Sequence, residues 1–69
     1  MGYLLKEDIA KIINEKYKNS YFANKLGLSG CYISIIVHRK QKVPKRIAYS
    51  FTKAVNPEAE INDYFYIVR

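Results

Sequence analysis

Residues 19–36 read NSYFANKLGLSGCYISII, and the parsing of this stretch decides the fold. Phe22, Ala23 and Leu26 fall on one helical face, and Gly27 follows at the point where a left-handed C-terminal conformation is cheap only for glycine. Asn19 or Ser20 can cap this helix with a side-chain oxygen, and Ser29 is placed to cap the next one. That second helix holds Ile33, Ile36 and, at its edge, Val37, and is expected to end near His38. Only Gly27-Leu28-Ser29 joins the two, so they must cross steeply and need a small residue where their backbones meet. Ala23, one turn before the glycine, supplies it. Phe22, Ala23, Leu26, Leu28, Ile33 and Ile36 are then the mutual core of the pair.

Outward from this unit, apolar residues at Leu5, Ile9, Ile12, Ile13 and Tyr17 make a helical stripe, predicting a first helix from Leu4 to Tyr17. Lys18-Asn19-Ser20 interrupts it. Beyond His38–Val43, a basic connector, Pro44 suits the first turn of a fourth helix, where its missing N–H costs nothing. Ile47, Ala48, Phe51, Ala54 and Val55 mark that helix's inner face. Asn56-Pro57 repeats the start signal for a fifth, with Ile61, Phe65 and Tyr64 pointing inward. Tyr64 to Arg69 carries strand propensity and reads as either a short strand or an arm. The expected architecture is all-α: five short helices in a single domain spanning residues 1–69.

Sixty-nine residues leave room for one domain and for no cleft walled by two. A chain this short buries roughly 60% of its unfolded surface, so the core is small. With 49% hydrophobic and 26% charged residues it should nonetheless fold. One cysteine, Cys31, excludes an internal disulfide and a cysteine-based zinc site, and suits a reducing cytoplasm. The apolar start, Met1 to Leu5, is cut short by Lys6, Glu7 and Asp8, unlike a signal peptide. The longest uncharged run, Leu26 to Val37, is too short to span a bilayer, so no membrane is expected.

The formal charge of +6 is unevenly spread. Lys6 and Lys11 against Glu7, Asp8 and Glu15 leave residues 1–15 at −1. Residues 16–57 hold Lys16, Lys18, Lys25, Arg39, Lys40, Lys42, Lys45, Arg46 and Lys53 with no acid, a net of +9. Glu58, Glu60 and Asp63 against Arg69 leave the remainder at −2. An acid-free block of this size repels itself and calls for a polyanionic partner, with nucleic acid first among the choices.

The helical pair resembles the helix-turn-helix of phage repressor and Cro-like transcription regulators, the lambda-repressor-like DNA-binding domain. The residues carrying the resemblance are Phe22-Ala23, Lys25-Leu26-Gly27-Leu28-Ser29, Tyr32-Ile33-Ser34 and Ile36. It extends through Pro44, Ile47-Ala48, Lys53-Ala54-Val55 and Asp63-Tyr64-Phe65, from about Leu5 to Phe65. What it implies is a third helix lying in the DNA major groove while the second crosses the backbone. Gly30, Cys31, Ser34 and Ile35 would face the bases, with Tyr32 at the groove edge. Asn19, Ser20 and Tyr21, at a helix N-terminus, and Arg39, Lys40, Lys42, Lys45 and Arg46 would hold phosphates. The family often carries Gln, Arg, Asn or Lys at several base-facing positions, and here they are small or apolar. Bidentate reading of guanine or adenine cannot come from Gly30, Cys31 or Ile35. That leaves a Ser34 or Tyr32 hydroxyl bond, apolar contact of Ile35 or Cys31 with thymine methyls, and readout of phosphate geometry and DNA shape.

Other chemistry finds little footing. Cys31 and His38 stand two helical turns apart, about 10 Å between α-carbons, beyond the reach of a nucleophile–base pair. His38 suits a helix C-terminus or one more phosphate contact. No metal-ligand spacing occurs, and no cofactor or catalytic residue is expected. The seven tyrosines are spread over every element, which favours half-buried roles over a single-strand stacking platform. Tyr64, Tyr66, Ile67 and Val68 are dimer candidates, because so small a monomer has little core to cover them. A two-fold pair would present two recognition helices about one DNA turn apart. The expectation is a homodimer, at least on DNA, that binds a double-stranded operator and acts by occupying it. Alternatives are a modulator that docks a partner repressor protein through the apolar third helix, and an architectural or RNA-binding basic module.

Overall fold

The computed structural model describes residues 2–69. In chain order these form β1 (Gly2–Leu5), α1 (Glu7–Lys16), α2 (Asn19–Leu26), α3 (Gly30–Val37), α4 (Lys45–Val55), α5 (Ile61–Tyr64) and β2 (Phe65–Val68). The fold is mostly helical, with the five helices expected, but it is not purely α. The C-terminal strand allowed by Tyr64–Arg69 is present, and it pairs antiparallel with a strand at the opposite end of the chain, Gly2 against Val68 and Leu5 against Phe65.

That pairing corrects the reading of the N-terminus. Leu4 and Leu5 are extended, and α1 begins only at Glu7, whose carboxylate shares the first turn with Asp8 where the helix dipole favours acids. Leu5 fits the helical stripe by spacing, yet it is buried in the sheet beside Phe65, and each is 1% exposed. Starting the helix later also changes its inner face. Ala10 and Ile13 are buried, whereas Ile12, expected in the core, is 47% exposed. Asn14 has a structural role: its Nδ2 donates to the carbonyl of Val37 at 3.0 Å and to that of Ala10 at 2.9 Å. One of the orphan carbonyls ending α3 is thereby satisfied from α1.

The core runs through every layer as a chain of aromatic rings. Phe22 of α2 lies 4.7 Å from Phe51 of α4, and Phe51 meets Phe65 of β2 edge-on at 5.9 Å. Such pairs add about 0.5–1.5 kcal/mol each beyond the area they bury. Leu5, Ile33, Ile36, Val37, Val43 and Ala48 close around them. Ile47, Ala54 and Val55 pack at the margin, while Thr52 is wholly buried, its hydroxyl donating to the carbonyl of Ala48 at 2.9 Å.

The fifth helix differs from expectation. Asn56-Pro57 opens a turn, in which the Asn56 side-chain oxygen accepts from Glu58 N–H at 3.1 Å. The helix starts at Ile61 instead, where the Asp63 carboxylate accepts from Glu60 N–H at 3.0 Å, and it lasts a single turn. Phe65 and Ile61 still pack inward, Phe65 from the strand that follows.

Candidate nucleic-acid interface

The turn between α2 and α3 has the geometry its residues call for. Gly27 adopts φ 69°, and Leu28 N–H returns to the carbonyl of Ala23 at 3.1 Å. Ser29 Oγ accepts from Tyr32 N–H at 3.1 Å and starts α3. Phe22, Ile33 and Ile36 are buried, with Ala23, Leu26 and Leu28 packed against them. The start of α2 is different: Lys18 is the capping residue, and neither Asn19 nor Ser20 lends a side-chain oxygen. Asn19 and Ser20 therefore present helix-terminal amides with no side-chain cap, whereas Tyr21 N–H is bonded to the carbonyl of Lys18 at 3.1 Å.

On α3, the spacing of Cys31, Ser34 and Ile35 turns them away from the buried Ile33 and Ile36, while Gly30, two turns before the buried Val37, is exposed at the helix start. Gly30 and Cys31 are exposed, while Ser34 and Ile35 are half-buried. Ile35 lies outside the apolar core, whereas Tyr32 packs against it. A Cβ at Gly30 would meet nothing within 4 Å. The whole of α3 bears no charge. His38 forms the C-terminal cap, its N–H bonded to the carbonyl of Ser34 at 3.0 Å, a backbone role consistent with a helix end.

The basic segment after α3 is not a free loop. Lys40 N–H reaches the carbonyl of Ile35 at 3.0 Å and Arg39 N–H that of Ile36 at 3.2 Å, which closes the helix with Arg39 left-handed at φ 56°. Four residues on, Val43 is buried and exchanges two 2.8 Å backbone hydrogen bonds with Tyr3, on the side of β1 away from β2. Lys40, Gln41 and Lys42 are thus exposed on a span pinned at both ends. The stem of Lys42 lies over Gly2, where even a Cβ would come within 2.9 Å of its Cγ.

Arg39 does not join the exposed cations. Its Nε donates to the carbonyl of Leu5 at 2.8 Å, one terminal nitrogen donates to the Tyr66 hydroxyl at 2.7 Å, and the other faces Glu7 at 3.9 Å. The guanidinium ties the end of α3 to β1, β2 and α1. Lys40, Lys42, Lys45 and Arg46 are exposed, and the one ion pair among the described residues, Arg39 with Glu7, involves none of them.

Lys25 was missing from the expected set and belongs beside it. Its Nζ sits 3.2 Å from the Tyr21 hydroxyl and 5.4 Å from the centre of that ring. Tyr21 in turn stacks on Tyr17 at 5.3 Å. The four-residue spacing of Tyr21 and Lys25 on one helix was the available signal.

Helix ends sharpen the charge pattern. The first turns of α1 and α5 carry acids, Glu7, Asp8 and Asp63. Those of α2, α3 and α4 carry none, and α4 opens instead with Lys45 and Arg46. Cations at a helix N-terminus oppose the dipole, which costs stability but concentrates positive potential. The dimer candidates divide. Tyr64 packs against the core and Val68 pairs with Gly2, whereas Tyr66 and Ile67 are 40% and 49% exposed on the outer strand. No helix among the described residues is long and apolar enough to cross a membrane.

No protein-family model, curated protein or solved structure matches the chain.

Proposed function

We propose that this chain is a sequence-specific double-stranded DNA-binding transcription regulator of the phage repressor and Cro type, a lambda-repressor-like domain carrying a small sheet. The single observation that carries the reading is the union of α2 and α3 across left-handed Gly27 with a rim of unpaired cations immediately after α3. In this reading α3 enters the major groove and the uncapped start of α2 meets a phosphate. Lys40, Lys42, Lys45 and Arg46 hold the backbone, with Lys25 and Tyr21 alongside. Arg39 holds the fold.

Regulation is by occupancy of an operator in the cytoplasm, without cofactor or catalysis. A homodimer forms at least on DNA, and Tyr66 and Ile67 on the free edge of β2 are the residues available to it. The apolar outer side of α3 favours a second reading, in which that helix docks a partner repressor protein.

Ser34→Glu separates the two. A carboxylate in the groove should abolish the gel shift of a duplex from the DNA flanking the gene, while the variant keeps the parent's helical circular dichroism. Retained DNA binding with loss of a partner complex would favour the second reading.

A further inference from the structure

The rim of cations can hold any duplex, since phosphates carry no sequence information. Direct reading of bases falls, in the proposed pose, to the outward side of α3, and its chemistry is narrow. Gly30 offers no side chain, and a Cβ there would have open space on every side, so a base-pair edge can approach the helix start closely. Cys31 is short and exposed, and its thiol is a weak donor. Ser34 has a hydroxyl, but one hydroxyl bonds equally to several bases. Tyr32 is held against the core and lies off this side. Ile35 is the remaining large group, half-buried yet outside the core, with a branched apolar end and no polar atom.

In the major groove thymine alone adds an apolar group, the C5-methyl beside its O4 acceptor. Resting on the proposed DNA-binding function, we propose that the protein selects its site through thymine methyl groups, with Ile35 as the principal contact and Cys31 as the second. Ser34 bonds a neighbouring base edge and sets the register. The preferred half-site then carries thymines at the steps facing Ile35 and Cys31. Replacing those thymines by uracil removes one methyl group each and leaves every hydrogen-bonding edge intact.

The test starts from duplexes enriched by the full chain from a randomised library, with the best one resynthesised with uracil in place of thymine. Anisotropy titrations at one fixed salt concentration compare the two forms on the parent, Ile35→Ala and Cys31→Ala. The parent should lose about fourfold in affinity for each methyl group removed. Ile35→Ala should erase most of that discrimination, and Cys31→Ala a smaller share. Equal affinity of the parent for thymine and uracil forms overturns the inference and leaves DNA binding standing. So does discrimination that survives both substitutions, because the methyl groups would then be read elsewhere. Failure to bind any duplex overturns the proposed function itself. Ile35 is half-buried outside the core, and helical circular dichroism equal to the parent's checks that Ile35→Ala keeps the fold.

Discussion

Both ends of the α3 unit turn on a left-handed residue, and the two are made in opposite ways. Before α3, Gly27 takes φ 69° with open space around it. After α3, Arg39 takes φ 56° and carries a full side chain into contact with three other elements. For an L-residue with a Cβ the left-handed region costs about 1–2 kcal/mol, which glycine avoids. Arginine bears that cost because its guanidinium has partners that hold it there. The first turn is local, its backbone hydrogen bond running from Leu28 to Ala23. The second is a tertiary clasp, and it sets where the basic span Lys40–Lys42 begins.

The sharpest way to break this contrast is Arg39→Ala, which keeps the backbone strain and removes every contact. It should cost about 2 kcal/mol, since a carbonyl loses a charge-assisted donor. For a domain of this size that lowers Tm by about 10 °C. Because Arg39 faces inward, the salt dependence of duplex binding should be unchanged at a temperature where the variant is folded. A loss of one contact from that dependence would return Arg39 to the phosphate-binding set. Arg39→Gly removes the same contacts and relieves the strain, so thermal melting should show about half the loss of Arg39→Ala.

Gly27→Ala tests the other turn. Nothing crowds the new Cβ, so the penalty is the conformation alone, about 1 kcal/mol and about 5 °C in Tm. Tyr66→Phe removes one acceptor from the Arg39 clasp and should lower Tm by less than that. Smallest of all is Glu7→Gln. At 3.9 Å and with its side chain 89% exposed, Glu7 adds a weak surface pair, and melting should coincide with the parent within error.

The same contrast explains what could be read from the residues. Gly27, Ser29 and Pro44 act on their own neighbours, so the end of α2 and the starts of α3 and α4 follow from local pattern. Arg39 looks like one cation in a row of them. Its role depends on Leu5 and Tyr66, which lie 34 and 27 residues away. β1 was hidden for a related reason. Leu5 stands four residues before Ile9 and passes for the top of a helical stripe, and only pairing with Phe65 draws it into a strand. Asn56-Pro57 carries a helix-start signal, but the Asn56 side chain turns back to Glu58 and uses it on a turn. On the candidate interface, Gly30 and Cys31, set facing outward by the resemblance alone, are both exposed. The pairing of Lys25 with Tyr21 was available from their four-residue spacing, and the side-chain geometry shows that the two meet.

The central claim is that the acid-free basic block holds a DNA duplex. The most direct measurement is the equilibrium constant of the full chain for a defined duplex over a series of salt concentrations. With about five phosphates neutralised per subunit, log K should fall against log salt with a slope of roughly −4 to −5 per subunit. Lys40→Ala, Lys42→Ala, Lys45→Ala and Arg46→Ala should each reduce that slope by about one. A slope near zero would contradict the account.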